Sequence, residues 1–499
     1  MLRSNGVLLP IFSLPGPFGI GCFGPEAVSF ARQLKDAGVS WWQVLPFNPT
    51  SAGDSPYQCL SAYAGNPYFI DLRQLVEQAL LTEDECTAQY YQGAAEQIDY
   101  GWLYQERIKT LRLAFNRLKA AQWRAIESFA QKQDWLEDYS LFSCIKQHFD
   151  SRPWWEWPDD GLRLRQTHAL NDFAARNEEE LHFVWFIQYE FNRQWQNLKK
   201  EIHELGVHII GDMPIYVAAD SAEVWSSPHY FEMDENRQFT RVAGVPPDYF
   251  SSDGQLWGNP LYRWDRLEED RYAWWIKRIQ AALDIYDLVR IDHFRGFESY
   301  WAVPAGEKTA RNGVWEKGPA MKLFRYILDA FPSAPIIAED LGDINNDVRL
   351  FLQETGLPGM KVLQFAFDPY FDSTDRPHSF VRQCVAYTGT HDNNTLCGWL
   401  EQTEDAEWEL VRDYFGLKDE HKTVKGPESP ACRSAIRTLW QSVADLVVAP
   451  LQDLLGLGSE GRINTPGTIE GNWRFRVTQE QLDRLDSEWL AALNRVCQR

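Results

Sequence analysis

The chain has 499 residues, of which 44% are hydrophobic and 14% are aromatic. Its 49 basic and 71 acidic residues give a formal net charge of −22, which argues against nucleic acids, anionic membrane surfaces and acidic substrates as partners. The length suits either several domains or one α/β barrel with large insertions, since such barrels run from about 200 to over 400 residues.

The cysteines are scattered, without a CxxC motif or a spacing that suits zinc. In so long a chain this pattern indicates free thiols in a reducing compartment. The N-terminal MLRSNGVLLPIF lacks the features of a signal peptide, and no uncharged stretch approaches the length of a membrane span. We therefore expect an intracellular, cytoplasmic protein, or a plastid protein if a presequence has been removed.

Short apolar runs alternate with amphipathic stretches along the chain. The stretches 26–38 and 272–284 have the periodicity of helices, whereas the apolar runs are typical of buried strands. Such alternation indicates parallel strands with both faces covered. In chain order the predicted strands are SWWQVLPF (40–47), HIIGDMPIYV (208–217), DLVRIDHF (287–294), PIIAEDLG (335–342), KVLQFAF (361–367), VAYTGTHD (385–392) and the weaker LVVAPLQDLL (446–455).

Two fold classes fit parallel strands, a doubly wound sheet and a barrel. About seven strands plus one unplaced strand make eight, and the first strand ends in LPFNPT, without the glycine-rich phosphate loop usual in doubly wound folds. We favour a (β/α)8 TIM barrel in which residues 1–499 form a single catalytic domain. After TPGT (465–468) only about 30 residues remain, so we expect no C-terminal β-sandwich domain.

Two long insertions interrupt the predicted barrel. Residues 73–200 are mainly helical, with helical patterns at 105–132 and 178–206 and a turn-rich break at 151–161. Residues 218–265 contain VPPDYFSSDGQLWGNP (245–260), which predicts an inserted loop subdomain. Long loops in compact domains are usually functional or disordered, and the aromatic residues of this one favour a function.

Charged side chains end several of the predicted strands. Arg290 and Asp292 are two residues apart and so share one face of a strand. Near the carboxyl end of a barrel strand that face opens into the active-site mouth. A single carboxylate after a strand is an ordinary helix cap, but the same pattern on four strands indicates a site. The other three strands carry Asp212, Glu339 with Asp340, and His391 with Asp392.

Close carboxylates without a metal signature suit glycoside cleavage. Asp292 is the predicted nucleophile, because Arg290 favours its ionised form. Glu339 is the predicted acid, because like-charged neighbours and an apolar approach raise its pKa. Asp392 would bind sugar hydroxyls and favour distortion of the ring.

The two histidines next to these carboxylates, His293 and His391, would donate hydrogen bonds to sugar hydroxyls. A zinc or manganese site built from the same carboxylates and histidines is the alternative. Arg290 opposes a cation beside Asp292, and no HxH or HExxH motif occurs, so we expect no metal and no cofactor.

The motifs that carry these residues resemble those of the amylomaltases, the 4-α-glucanotransferases or disproportionating enzymes of the α-amylase clan. The resemblance covers nearly the whole chain, and its motif set is highly specific. The motifs are LPIFSLPGPFGIGCFG (9–24), GDSPYQCLSAYAGNPYFIDL (53–72), GDMPIYVA (211–218), GQLWGNPLY (254–262), VRIDHFRGF (289–297), IIAEDLG (336–342), KVLQFAF (361–367), TGTHDNNT (388–395) and RINTPGT (462–468).

The resemblance implies a role for each matching residue. Asp292 would be the nucleophile, Glu339 the acid/base and Asp392 the transition-state stabiliser. Three residues would hold the donor sugar before the scissile bond, namely Arg290, His293 and His391. The other implied substrate-binding residues are Asp212, Tyr57, Asn464 and Trp257 in the groove, Phe365 in its wall, and Tyr249 and Phe250 on a loop arching over it.

The implied reaction moves α-1,4-glucan segments to the 4-hydroxyl of an acceptor by double displacement with retention, and intramolecular transfer would give cyclic glucans. The implied substrates are maltooligosaccharides, amylose and fragments of starch or glycogen. Two alternatives stay open: a retaining α-glucan hydrolase, and a non-catalytic glucan-binding protein on a former enzyme scaffold. The intact Asp292, Glu339 and Asp392 argue against the second.

Overall fold

The computed structural model describes residues 3–51, 53–247, 251–333, 335–342, 344–468 and 470–499. Its strands in chain order are β1 (Ser4–Leu8), β2 (Trp41–Gln43), β3 (His208–Pro214), β4 (Arg241–Val245), β5 (Gln255–Pro260), β6 (Leu288–Asp292), β7 (Ser299–Pro304), β8 (Val314–Lys317), β9 (Ile336–Ala338), β10 (Gly359–Val362), β11 (Cys384–Tyr387) and β12 (Leu446–Pro450).

Eight of these strands form one parallel sheet in the order β10-β11-β12-β1-β2-β3-β6-β9. The two ends of this order meet where the backbone N–H of Ala338 donates to the carbonyl of Pro358 at 2.9 Å. The backbone N–H of Met360 also donates to Oδ1 of Asp340 at 2.6 Å across the same junction. The sheet is therefore a nearly closed barrel, which confirms the predicted (β/α)8 fold, and β1 is the strand that the sequence left unplaced.

The helices cover the outside of the barrel and build the first insertion. The pattern at 105–132 predicts one helical stretch, but the structure divides it into two helices, whereas 178–206 contains a single helix of 27 residues. None of the helices in the described ranges combines the length and apolar character that crossing a bilayer requires. In chain order the helices are α1 (Pro25–Asp36), α2 (Leu72–Glu77), α3 (Glu83–Thr87), α4 (Tyr100–Phe115), α5 (Ala120–Ala130), α6 (Leu136–His148), α7 (Asp160–Arg163), α8 (Thr167–Arg176), α9 (Glu178–Glu204), α10 (Ala222–Ser226), α11 (Trp264–Glu269), α12 (Ala273–Ile285), α13 (Met321–Ala330), α14 (Asn346–Thr355), α15 (Leu396–Gln402), α16 (Asp405–Phe415), α17 (Pro430–Gln441), α18 (Leu451–Leu454), α19 (Gln479–Asp483) and α20 (Ser487–Cys497).

A second, four-stranded antiparallel sheet has the order β5-β4-β7-β8. The stretch 245–260, predicted to be a loop, is therefore a loop only in part, because it ends in β5, which pairs with β4. The sequence pattern did not predict these strands. Strand β4 also pairs with β7, which lies more than 50 residues later in the chain, and a pairing between such distant segments leaves no local pattern. Tyr249 and Phe250 lie outside the described residues.

Close packing between β3 and the start of β6 requires a glycine at position 211. A Cβ added to Gly211 would lie 2.0 Å from the ring of Tyr286, far inside van der Waals contact. The Tyr286 hydroxyl in turn accepts a 3.2 Å hydrogen bond from the backbone N–H of Phe47, which follows β2. One buried ring thus ties three neighbouring strands of the barrel together below the carboxyl end of β3.

Candidate active site

A buried arginine joins two carboxylates at the carboxyl ends of β3 and β6. Asp212 lies opposite Arg290 in the register of these strands. Nη1 of Arg290 donates to Oδ2 of Asp212 at 2.6 Å, and Nη2 donates to Oδ1 of Asp292 at 2.8 Å. Burial alone would lower the pKa of Arg290, but the two carboxylates together raise it well above its ordinary value. The guanidinium is therefore a permanent charge that orients Asp292.

Asp292 is the member of this trio that reaches the open mouth of the barrel. Its side chain is 29% exposed, whereas those of Arg290 and Asp212 are 3% and 0% exposed. The structure thus confirms that Arg290 and Asp292 share one face of the strand. An anchored carboxylate with one open side can approach a reacting carbon of a bound molecule.

Glu339 follows β9 directly and is fastened to the end of β6. Its Oε2 accepts a 2.7 Å hydrogen bond from the backbone N–H of His293, and its Oε1 accepts one of 2.7 Å from that of Leu341. The backbone of Glu339 also donates to Ile291 at 3.1 Å and accepts from Phe294 at 3.1 Å. These four bonds place the Glu339 carboxyl beside the residue that follows Asp292.

The electrostatic environment keeps Glu339 protonated at neutral pH. Burial and the Asp292 charge raise the pKa of Glu339 to about 8, against the lowering effects of Arg290 and the two backbone N–H groups. This is the direction that the sequence predicts. Glu339 and Asp292 thus follow adjacent strands, and a carboxyl with a raised pKa can donate a proton to a group bound between them.

His293 turns the chain at the end of β6 with a left-handed backbone, φ 53°. Burial lowers the pKa of His293 to about 4, although the Asp292 charge acts in the opposite direction. The imidazole is therefore neutral at pH 7 and can donate one hydrogen bond. The ring of Trp257 on β5 meets it edge to face at 4.7 Å, so the small sheet contacts the mouth of the barrel.

Asp392 lies beyond β11 and is oriented by the chain that follows β12. Nδ2 of Asn464 donates to Oδ1 of Asp392 at 2.6 Å, and Nε2 of His391 lies 3.3 Å from Oδ2. Nη2 of Arg462 donates to the Asp392 carbonyl at 3.0 Å, and Nε of Arg462 donates to the Asn464 carbonyl at 2.8 Å. The Asp392 side chain is 40% exposed, so it stays open to a ligand.

Tyr57 connects the Asp212 side of the site to the His391 side. Its hydroxyl donates to Oδ2 of Asp212 at 2.9 Å, and its ring stacks on His391 with centroids 5.1 Å apart and planes 16° apart. Burial and the nearby carboxylates raise the pKa of Tyr57 well above its usual value, so the phenol remains a donor. Trp473 packs against both rings, with centroid distances of 5.6 Å to Tyr57 and 5.9 Å to His391.

The structure brings most of the predicted residues together through these contacts. Phe365, just after β10, is 45% exposed, and the contacts described here do not tie it to the three carboxylates. Sequence reasoning did not single out Arg462 and Trp473. Arg462 belongs to the motif RINTPGT and could have been found there, whereas nothing local distinguishes Trp473 from the other tryptophans of the chain.

The chain is similar over nearly its whole length to known 4-alpha-glucanotransferases. A family model described as 4-alpha-glucanotransferase matches residues 9–482. The 4-alpha-glucanotransferase of Streptococcus pneumoniae TIGR4 is 44% identical, with 100% of this chain and 97% of that protein covered. The enzyme of the same name from Thermus thermophilus is 45% identical, with coverage of 100% and 99%.

The chloroplastic/amyloplastic 4-alpha-glucanotransferase of Arabidopsis thaliana is 39% identical over 97% of this chain and 84% of that protein. Among solved structures, the amylomaltase from Streptococcus agalactiae in complex with acarbose superposes with a TM-score of 0.95 at 38% identity, covering 100% of this chain and 99% of that one. The chain therefore belongs to the 4-alpha-glucanotransferase family.

Proposed function

We propose that this protein transfers α-1,4-glucan segments to the 4-hydroxyl of an acceptor glucan or glucose by double displacement. In the first step Asp292 attacks the anomeric carbon, the glycosidic bond breaks, and Glu339 gives its proton to the leaving 4-oxygen. A β-linked glycosyl ester on Asp292 results. In the second step the acceptor 4-hydroxyl gives its proton to Glu339 and displaces Asp292, so the α-configuration is retained.

The observation that carries this proposal is the pairing of Asp292 with Glu339. Arg290 holds the first carboxylate in place, while burial raises the pKa of the second to about 8. Two backbone bonds fix the Glu339 segment to the end of β6. The two groups can therefore act on one glycosidic bond, one as a nucleophile and the other as a proton donor.

The surrounding side chains suit one sugar ring in the subsite before the scissile bond. Asp392, held by Asn464, would accept hydrogen bonds from ring hydroxyls and favour the distorted oxocarbenium shape. His293 and His391 would contact further hydroxyls. Tyr57 and Asp212 would form the floor with Arg290, and Trp257 would offer an apolar face to the CH groups of the sugar. Phe365 would form part of the wall.

Residues 218–265 serve, in this proposal, as a cover over the mouth, and 73–200 as a helical subdomain beside it. The contact of Trp257 with His293 supports the first assignment. Tyr100 of α4 supports the second, because its hydroxyl donates to the carbonyl of Trp473 at 3.0 Å, next to Tyr57 and His391. A cover that excludes water would favour an acceptor sugar over hydrolysis. Tyr249 and Phe250 are proposed members of it on sequence grounds alone.

Incubation with maltotriose tests the function against both alternatives. A transferase gives glucose and a ladder of longer maltooligosaccharides, a hydrolase gives shortening alone, and a glucan-binding protein gives no new product. The Asp292→Asn variant is the control, since it removes the nucleophile and should abolish the ladder. Long amylose extends the test, because intramolecular transfer would give cyclic products without new reducing ends.

For localisation we propose the cytoplasm, with a plastid as the alternative. All eight cysteines are free, and Sγ of Cys397 lies 3.3 Å from Sγ of Cys432 without a disulfide. Disulfides are rare in the cytosol, where thiols are kept reduced, so two free thiols this close suit that compartment. Both thiols are buried. Lysis of the native host in denaturant with an alkylating reagent, followed by mass spectrometry, should therefore find both cysteines alkylated. A disulfide between them would contradict a reducing compartment.

A further inference from the structure

At the amino-terminal ends of β3 and β6, opposite the active-site mouth, two histidines and a carboxylate converge. His203 is the last residue but one of α9, His208 begins β3, and Asp287 precedes β6. One ligand atom of each lies within 4.8 Å of those of the other two. We propose that these three residues bind a divalent transition-metal ion, for which Zn²⁺ is the natural probe.

The donor atoms match what Zn²⁺ prefers. Protein zinc is tetrahedral, with imidazole nitrogen and carboxylate oxygen at about 2.0–2.2 Å, which separates neighbouring donors by roughly 3.3 Å. Nε2 of His203 lies 2.8 Å from Oδ2 of Asp287, and Nδ1 of His208 lies 4.0 Å from the same oxygen. These separations of 2.8 and 4.0 Å lie on either side of the required spacing, and water would take the fourth position.

The carboxylate is held in place before any ion arrives. Oδ2 of Asp287 accepts a 2.8 Å hydrogen bond from the backbone N–H of Ile209, and the Asp287 N–H donates to the Ile209 carbonyl at 3.0 Å. The ring of His208 packs against Trp41 at 5.3 Å. The side chains of His203 and His208 are 37% and 50% exposed, so an ion can enter from solvent.

One neighbouring charge works against the ion. Nζ of Lys199 lies 3.2 Å from Oδ1 of Asp287, the oxygen that the metal would not use. Lys199 is one turn before His203 on α9, so its ammonium stays near the site and weakens cation binding through Coulomb repulsion. The affinity should therefore rise when this charge is removed, a response that a merely adventitious surface ion elsewhere would not show.

The position of the site predicts an effect on stability. The ion would fasten the end of α9 to the starts of β3 and β6, at the face of a barrel that serves stability. Asp212, Arg290 and Asp292 lie at the opposite ends of the same two strands. Binding should raise the melting temperature by mass action and leave turnover of maltotriose unchanged.

The test uses the full chain, freed of metal with a chelator and dialysed against Zn²⁺, with the bound ion counted by elemental analysis. We expect one ion per chain at this site. His203→Gln and His208→Gln should each weaken its binding about 100-fold or more, because each removes a direct ligand. Lys199→Gln should tighten binding by about 10-fold. His421→Gln is the matched control, since Nε2 of His421 also lies near a carboxylate, 4.0 Å from Oε1 of Glu420.

Melting temperatures of the metal-free variants establish that each variant is folded. Co²⁺ in place of Zn²⁺ reports the ligands, because a thiolate adds an intense charge-transfer band that imidazole and carboxylate do not. Zinc binding that survives the double variant His203→Gln/His208→Gln, the absence of a bound ion, or a thiolate band would each overturn the proposal. None of these outcomes depends on glucan transfer, which is measured separately.

Discussion

Arg290 and Asp292 lie two residues apart on β6, and Nη2 of the first donates a 2.8 Å hydrogen bond to Oδ1 of the second. The same guanidinium also binds Asp212, and it is only 3% exposed. Arg290→Met would leave two carboxylates facing each other without a counter-charge. We expect the free energy of unfolding to fall by about 3–5 kcal/mol, the usual cost of breaking a buried ion pair.

Denaturant titration of Arg290→Met checks this value. Addition of Asp212→Asn should recover part of the loss, because it removes one of the two uncompensated charges. Strictly additive losses in the double variant would contradict the coupling of the two side chains.

Replacement of Asp292 by Asn tests the nucleophile. Asparagine has nearly the same shape and can still accept a hydrogen bond from Arg290, so the site should keep its form. It cannot form the glycosyl ester, and kcat should fall by about 10⁴-fold or more. Maltotriose binding, measured by calorimetry, should change little. A variant with substantial transferase activity would exclude Asp292 as the nucleophile.

The protonation of Glu339 predicts the alkaline limb of the pH profile. Because the pKa of Glu339 is about 8 and the first step needs its proton, kcat/KM should decline above about pH 8. Glu339→Gln should remove most activity on maltotriose. In an α-maltosyl fluoride donor, the leaving fluoride ion needs no proton. This donor should therefore restore formation of the glycosyl-enzyme in the Glu339→Gln variant. No rescue by the fluoride would argue against Glu339 as the acid.

The Glu339 carboxyl also makes the free energy of unfolding depend on pH. Its pKa is higher in the folded chain than the ordinary value of 4.5, so the folded state binds more protons between about pH 4.5 and 8. Its contribution is fully present below that window and is lost as the pH rises through about 8. Between pH 5 and 8, the free energy of unfolding should therefore fall less in Glu339→Gln than in the parent, as denaturant titrations at each pH would show. A larger fall in the variant would contradict the raised pKa of Glu339.

Asn464 should act on turnover through Asp392. Its amide donates a 2.6 Å hydrogen bond to Oδ1 of Asp392, and bonds to charged groups contribute about 1.5–3 kcal/mol. Asn464→Ala should lower kcat about 10–100-fold. Gln479→Ala is the control, because Gln479 makes a similar 2.8 Å bond to the carboxylate of Asp483 on the surface, and its removal should leave the kinetics unchanged. Equal kinetics for both variants would refute the role of Asn464.

Two glycines should respond to very different extents to the same substitution. Gly211→Ala places a methyl group 2.0 Å from the ring of Tyr286, and overpacking of this kind costs about 1–3 kcal/mol or more. Gly101→Ala lies on the exposed face of α4, where a Cβ meets only Oδ1 of Asp99 at 3.3 Å. Alanine in the middle of a helix gains about 0.5–1 kcal/mol over glycine, but here the tight contact with the oxygen that caps α4 opposes that gain. Thermal unfolding should show the first variant clearly destabilised and the second little changed.

The parts of the site that sequence predicts are those with a local signal. The alternation of Arg290 and Asp292 places both on one face whatever else the chain does, since strand geometry has a period of two. The apolar residues before Glu339 likewise predict that its carboxyl is buried. Burial disfavours the charged form, so the sequence also predicts a raised pKa for Glu339. These features need only a few consecutive residues.

Contacts between distant segments left no such signal. The stack of Tyr57 on His391 joins residues that are 334 positions apart in the numbering of the chain. The pairing of β4 with β7 needs the barrel to bring them together, so 245–260 resembled a simple loop. Strand β1 was left unplaced because its polar Asn5, which is buried and bonded to the Gly38 carbonyl at 3.1 Å, hides the apolar pattern.

The junction between β9 and β10 closes the barrel without a backbone ladder. Seven neighbouring strand pairs are held by backbone ladders, whereas this one relies on the bond from Ala338 to Pro358 and on the carboxylate of Asp340. The junction lies one residue from Glu339, whose backbone is also bonded to the end of β6. A substitution at Asp340 would therefore disturb the closure of the barrel and the position of the Glu339 carboxyl together.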